Sequence, residues 1–339
     1  MFKKMRITMV ISLIIISIIF VTAGCGKTNS SQPTAPADQK FVMKFGHNIA
    51  VGSIQDQAVN KFKQIVEQKS NGRIEVQVFP AAQLGNERDL IEGIGLGTVD
   101  AALSTTAYLS NIVPEMGMLD LPFVFRDYDH VKAVLNGNVG KTLADKLLKQ
   151  KSIRLLAWYN SGFRVMLTTD KPIQSLADFK GLKMRAPEVP VYIDMFKALG
   201  ANPTPIPFGD VYTSLQTGVV QGVEVAPDLM YSMKFHEVGK YIVVTNHIFS
   251  TIAPIISEKY FQSLPADLQK VVQDAATESA NWEWDAFIKS NDDSMKKMEA
   301  AGVKVNDIDR QPLIDAVKPM WDQYATKLNT QELLAQMIK

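Results

Sequence analysis

The stretch Phe41–Pro80 reads FVMKFGHNIAVGSIQDQAVNKFKQIVEQKSNGRIEVQVFP, and its apolar spacing changes twice. Phe41, Met43 and Phe45 recur every second residue, the period of a strand. Ile54, Ala58, Phe62, Ile65 and Val66 then recur every three or four residues, the period of one helix face. Asn71-Gly72 stops that helix with residues that tolerate positive φ. Ile74, Val76 and Val78 make a second strand, halted at Pro80. A strand, a helix and a strand within forty residues form a βαβ unit, so the fold class is α/β.

The alternation continues along the chain. Helices are expected over about Glu87–Gly95 and Tyr128–Leu148, and strands at Asp100–Ser104 and Ile153–Trp158. A second series starts after Asn160-Ser161-Gly162 with a strand at Phe163–Thr168. Next come a helix start at Ser175, with Asp178 three residues on as a capping box, and a strand at Leu182–Met184. Helices at Val191–Leu199 and Val211–Thr217, a strand at Val219–Val225 and a β-rich stretch at Tyr241–Ser257 follow. A long helix is expected over Pro265–Ala300, and a last one over Gln311–Ile338. The pattern predicts largely parallel sheets with right-handed crossovers. No linker rich in Pro, Gly or Ser divides the middle, so the chain is expected to cross between two domains more than once.

A length of 339 residues suits two domains, and 46% apolar with 21% charged residues is ordinary for a globular protein. Thirty-six Lys plus Arg against 35 Asp plus Glu leave no basic surface for nucleic acid. One cysteine, Cys25, excludes an intramolecular disulfide and any multi-cysteine metal site. It follows Lys3, Lys4 and Arg6, an apolar run from Met9 to Val21, and the small residues Ala23 and Gly24, the layout of a secretory signal. Residues 1–24 are therefore expected to be a cleaved signal and 25–40 a flexible tether, since Lys27 to Lys40 contain almost no large apolar side chain. Thr22-Ala23-Gly24-Cys25 resembles the lipobox of bacterial lipoproteins, with Thr22 where Leu is commonest. The resemblance implies lipidation of Cys25 and attachment to the outer face of the cell membrane.

Signatures of catalysis are missing. There is no Gly-x-Ser-x-Gly, no His-Glu-x-x-His and no Rossmann fingerprint; Gly93-Ile94-Gly95-Leu96-Gly97 sits at a helix end and reads as a stop and turn. Gly26-Lys27-Thr28 lacks the upstream glycine of a phosphate loop. His47, His130, His236 and His247 lack metal-ligand spacing. Neither a metal nor a cofactor is expected, and the protein is not expected to be an enzyme. Two arginines differ from the solvated charges: Arg164 and Arg185 each lie inside an apolar strand-like run. A guanidinium there needs a partner, either a protein carboxylate or a ligand carboxylate. Position alone leaves both readings open.

The motifs around them resemble the DctP-type solute-binding subunits of tripartite ATP-independent periplasmic (TRAP) transporters. The matching pieces include Ser70-Asn71-Gly72-Arg73-Ile74, Leu121-Pro122-Phe123, Gly162-Phe163-Arg164, Leu176-Ala177-Asp178-Phe179-Lys180-Gly181-Leu182-Lys183-Met184-Arg185 and Leu215-Gln216-Thr217-Gly218. The resemblance implies a two-domain fold like that of periplasmic binding proteins, with a hinge, a cleft and a long helix spanning both domains. Domain I is expected over 41–161 and 251–290, and domain II over 162–250 and 291–339. It implies that the cleft closes on a small organic acid, which is passed to the small and large membrane permease subunits. A sensor or scaffold lipoprotein presenting ligand from the same cleft is the alternative.

Arg185 is the residue implied to pair with the carboxylate, with Arg164 assisting. Asn48, Thr105 and Glu87 fall where first-domain contacts occur in the family, though capping explains them as well, and Phe208 matches a pocket wall or, following Pro207, packs in the core. Trp158 and Tyr212 either line the cavity or pack in the core. The chain departs from the family pattern at Gln221-Gly222-Val223-Glu224-Val225, where Val225 replaces a frequent asparagine. Glu188, three residues after Arg185, would repel a second carboxylate. The two departures favour a monocarboxylate with an apolar or hydroxylated body.

Overall fold

The computed structural model describes residues 39–339; the expected signal, Cys25 and nearly all of the expected tether lie outside the described residues. The opening unit folds as its spacing dictates, with β1 (Phe41–Gly46), the helix Ile54–Lys69 and β2 (Ile74–Phe79). Ser53 caps the helix by accepting from the Asp56 amide, and Asn71 (φ 53°) with Gly72 (φ 73°) turns the chain into β2. The strands pair in parallel, Phe41 with Ile74 through Gly46 with Phe79. The remaining strands are β3 (Ala101–Thr105), β4 (Ile153–Leu155), β5 (Tyr159–Phe163), β6 (Val165–Thr168), β7 (Lys183–Ala186), β8 (Asn202–Pro205), β9 (Gly222–Val225), β10 (Tyr241–Val244), β11 (Phe249–Ser257) and β12 (Lys304–Asp307).

They form two six-stranded sheets, one in each of two lobes. The first has the order β2-β1-β3-β11-β4 with β5 also on β11, and the second β12-β10-β6-β9-β7-β8. Both are mixed, which corrects the expectation of largely parallel sheets. β11 runs antiparallel to β3, β4 and β5, and β6 runs antiparallel to β9 and β10. The cause is the crossing itself. β5 and β6 are consecutive yet belong to different sheets, and β10 and β11 make the return journey. A strand entering a sheet directly from the other lobe, with no crossover helix, is free to pair antiparallel.

The helix Ala266–Ala300 spans both lobes. Against the first lobe it packs on Ile54–Lys69, with Lys69 Nζ 2.8 Å from Glu278 Oε2; against the second it packs on Pro227–Ser232. It is also stitched to the crossing strand β5 and to the helix Pro227–Ser232. The Tyr159 hydroxyl lies 2.6 Å from Ser279 Oγ, the Asn160 amide donates to Glu283 Oε2 at 2.8 Å, and the Asp228 amide donates to Asn291 Oδ1 at 2.8 Å. Gly162 (φ 80°) turns between the lobes where a Cβ would stand 2.8 Å from both Ala226 Cβ and Phe287 Cε1.

Several expected boundaries move for local reasons. The single helix over 128–148 is two, Tyr128–Asn136 and Asn138–Lys151, because Gly137 is extended between them. The last helix is three, Gln311–Val317, Pro319–Leu328 and Gln331–Met337. Pro319 has no N–H to continue the first helix, and Asn329 (φ 53°) ends the second. These C-terminal helices touch both lobes: Trp321 Nε1 donates to the Pro122 carbonyl (2.8 Å), and the Tyr324 hydroxyl donates to Asp194 Oδ2 (2.7 Å). The Ser175–Asp178 capping box forms, and it starts only the short turn Leu176–Phe179. β8 escapes the periodicity because Asn202-Pro203-Thr204-Pro205 carries two prolines, which only a sheet edge tolerates.

Candidate functional site

Arg164 stands at the crossing between β5 and β6, its amide bound to the Ile248 carbonyl on the return path (2.8 Å). Antiparallel pairing of β6 with β9 sets Val165 opposite Val225 and Met166 opposite Glu224, which brings Glu224 within reach. Arg164 Nη2 donates to Glu224 Oε1 at 2.8 Å and to the Glu224 carbonyl at 2.7 Å, while Nε donates to Oε2. The pair is buried, and the guanidinium lies 5.3 Å from the Tyr192 ring. Burial alone would lower the Arg164 pKa, but the Glu224 charge holds it above the ordinary value. Burial likewise pushes Glu224 up, and Arg164 with His247, whose Nε2 is 3.4 Å away, brings it below the ordinary range. Beside them Asp120 accepts from the Thr106 hydroxyl (2.8 Å) and the Tyr192 hydroxyl (2.9 Å). Burial outweighs these bonds and pushes the Asp120 carboxyl up to about 7.

Arg185 has no such partner. It lies on β7, 1% exposed, with Nε donating to the Ile206 carbonyl at 2.9 Å and its guanidinium 5.8 Å from the Phe208 ring. Among the described residues no carboxylate pairs with it and no acceptor meets its terminal nitrogens. Burial pulls its pKa down, against the Tyr108 phenol and the charges of Glu224 and Glu87.

Both arginines open onto a cavity between the lobes that holds about 40 Å³ of free space. Its first-lobe wall includes Ile49, Glu87, Thr105, Tyr108, Ser161 and Ser250, and its second-lobe wall Arg164, Arg185, Tyr192, Phe208, Val225 and Leu229. Glu87 opens the helix Glu87–Leu96, and its Oε2 gathers three donors: the Thr105 amide (2.7 Å), the Thr105 hydroxyl (2.9 Å) and the Ser104 hydroxyl (3.2 Å). Burial still raises its pKa.

Six of the residues singled out from the sequence line this wall: Arg185, Arg164, Phe208, Thr105, Glu87 and Val225. Four lie elsewhere. Asn48 is buried beside the wall residue Ile49, its Oδ1 without a partner. Glu188 lines a neighbouring 390 Å³ hollow with Arg88 and Asn111, and its carbonyl accepts from Asn111 Nδ2 at 3.2 Å. The strand ends at Ala186, so the alternation that aims Arg185 inward does not extend to Glu188. Trp158 lines a wider, more open hollow of 660 Å³ against the long helix, and its carbonyl accepts from Trp284 Nε1 (2.9 Å). The Tyr212 hydroxyl is exposed and bonds Glu237 Oε2 at 3.2 Å.

Sequence reading missed Tyr108, Tyr192, Ser161 and Ser250. The one local signal was Ser250-Thr251, a polar pair inside β11, all nine residues of which are buried. Among the described residues no group of three or more His, Cys, Asp or Glu could hold a metal ion. No helix among them is long and apolar enough to cross a membrane.

A buried guanidinium whose terminal nitrogens meet no acceptor has the chemistry to receive a carboxylate. Residues 45–327 match the family model described as DctP, bacterial extracellular solute-binding protein, family 7. The chain is 33% identical to the 2,3-diketo-L-gulonate-binding periplasmic protein YiaO of Escherichia coli K12 over 81% of this chain and 84% of that one. Two solved structures superpose closely. The sugar acid binding protein of Advenella mimigardefordensis in complex with galactonate has a TM-score of 0.86 at 30% identity, covering 88% of this chain and 97% of that one. A TRAP periplasmic solute binding protein from Sulfurospirillum deleyianum with bound succinate has a TM-score of 0.84 at 30% identity, covering 88% and 98%. By its family match, its relatives and its two-lobed fold, this chain belongs to the DctP family of extracytoplasmic solute-binding proteins, the non-enzymatic capture subunits of TRAP transporters.

Proposed function

We propose that this chain captures a small organic acid by closing its two lobes on the ligand, with Arg185 pairing the carboxylate, and that it delivers the loaded form to small and large TRAP permease subunits. The observation that carries this is Arg185, 1% exposed and without a counterion at the cavity wall. Lobe closure removes water, so the ion pair with a ligand strengthens as the local dielectric falls. Arg164 assists indirectly. Held by Glu224, it adds positive potential to the wall while its own nitrogens are engaged.

The lobes correspond to 41–161 with 251–290, and 162–250 with 291–339. Sheet membership supports the division, and the C-terminal helices act as a strap across both. The anchor is lipidation at Cys25 after removal of residues 1–24, which places the protein on the outer face of the membrane. Mass spectrometry of the mature N-terminal peptide checks this, and an unmodified Cys25 rejects it.

Thermal unfolding in a panel of small organic acids tests the binding. An acid at a hundred times its Kd adds about 2.7 kcal/mol of native stability. Arg185→Lys should abolish that gain, because an ammonium cannot reproduce the two parallel hydrogen bonds of the fork. A variant that still binds the best acid normally rules out the clamp.

A further inference from the structure

Phe163 and Arg164 are chain neighbours at the first crossing between the lobes, and they line different spaces: Arg164 the cavity in the cleft, Phe163 a separate hollow of about 240 Å³. Three of the joins between the lobes contribute to that hollow. Phe163 comes from the outward crossing, Asn246 from the return between β10 and β11, and Arg310 from the start of the C-terminal helices; Phe123, Phe125 and Arg126 come from the first-lobe segment before the helix Tyr128–Asn136. Its base is apolar and fixed, because the Phe125 and Phe163 rings both lie edge-on to Phe249, at 5.9 and 5.2 Å. Phe123 is held at φ 58°, its amide donating to the His247 carbonyl (2.6 Å), and Asn246 at φ 46°. A bulky residue in the left-handed region persists only where its surroundings over-determine it. The rim carries two exposed cations, Arg126 and Arg310. Each has an acid beside it in sequence, yet Asp127 accepts from the His130 amide at 2.8 Å and Asp309 from the Gln311 amide at 3.0 Å. Arginine ion pairs among the described residues are those of Arg73, Arg88, Arg154 and Arg164, so both rim guanidiniums lack a counterion there.

We infer that this hollow is a second binding site, separate from the cleft, for a small organic anion with an aromatic body. A carboxylate at the rim meets the forks of Arg126 and Arg310, whose donors match its two oxygens. The ring lies against Phe123, Phe125 and Phe163, where its apolar area leaves water and aromatic faces and edges pack. Charge sets the hollow apart from its neighbours. No carboxylate lines it, whereas the hollows beside Trp158, His130 and Glu188 each mix cations with acids. Size sets the ligand: 240 Å³ falls below the roughly 300–1,000 Å³ of sites for drug-sized molecules, which leaves room for a single ring.

Benzoate, benzamide and acetate, titrated calorimetrically into the mature protein and into its Arg185→Lys variant, separate this site from the cleft and charge from ring. Benzoate should bind the variant, in which the cleft clamp is disabled. Benzamide, which lacks the charge, and acetate, which lacks the ring, should each bind it at least ~10-fold more weakly. Adding Arg126→Gln or Arg310→Gln should weaken benzoate at least ~10-fold and leave the unfolding temperature in place, since both side chains are exposed and unpaired. Iodine density from para-iodobenzoate soaked into crystals of the parent locates the ring without any variant, and it should lie against Phe123, Phe125 and Phe163. Benzoate binding that disappears with Arg185→Lys, or iodine found in the cleft alone, overturns the inference and leaves the cleft reading standing. Benzamide or acetate binding as tightly as benzoate overturns it as well, as do benzoate binding unaltered by both rim substitutions and benzoate binding to neither protein.

Discussion

Arg164 and Arg185 lie 21 residues apart, line the same cavity and are both buried, yet they live in opposite electrostatic circumstances. Arg164 meets Glu224 through two nitrogens and also reaches its backbone carbonyl; Arg185 meets one carbonyl and nothing charged. A buried ion whose partner is part of the chain belongs to the architecture. A buried ion without one is held ready for a charge from outside, and the rest of the fold bears the cost of keeping it there. On the proposed reading the two residues divide the labour of one pocket, the first fixing the shape of the wall and the second offering the bond.

The sharpest way to break this contrast is to remove each guanidinium from the ligand-free protein. Arg164→Met strands Glu224 in the interior and should cost about 3–5 kcal/mol in urea unfolding. A loss under about 1 kcal/mol would mean that the pair is not structural.

A pH series probes the neighbourhood of Arg164 next. The Asp120 carboxyl, at about 7 in the folded protein against 3.8 ordinarily, binds its proton more tightly folded than unfolded. That contribution is fully present below pH 4 and is lost as pH rises through 7, so stability should fall across this window by up to ~4 kcal/mol. Asp120→Asn should flatten the fall, and an unchanged slope in the variant would assign it to another group.

The smallest effect is expected at the other arginine. Arg185→Met removes a charge that nothing in the protein pairs, so ligand-free stability should stay within about 1 kcal/mol of the parent or rise. A loss as large as that of Arg164→Met would erase the distinction between the two sites.

Much of this was legible from residues alone. The changes of period over Phe41–Pro80 specify a strand, a helix and a strand, and those elements form with their turn at Asn71-Gly72. Gly97 (φ 77°) ends its helix as the glycine run indicated. The long helix is read to within a residue at its start, because its stripe of apolar side chains is sustained for 35 residues. The site was less legible. An arginine in an apolar run announces a need for a partner and carries no sign of which partner satisfies it. Six wall residues could be carried over from motifs, while Tyr108, Tyr192, Ser161 and Ser250 could not, because only the approach of two separate sheets makes them neighbours. Glu188 lines the neighbouring hollow, because three residues beyond Arg185 the strand has already ended.

By itself the sequence determined most of the elements, the α/β class and the identity of the two buried cations, since these depend on spacing along one chain. Tertiary structure decided the direction of the strands, the partner of Arg164 and the solitude of Arg185. Those depend on which segments cross between the lobes and what they meet there, and a charge is paired or unpaired only with respect to atoms brought near it in space.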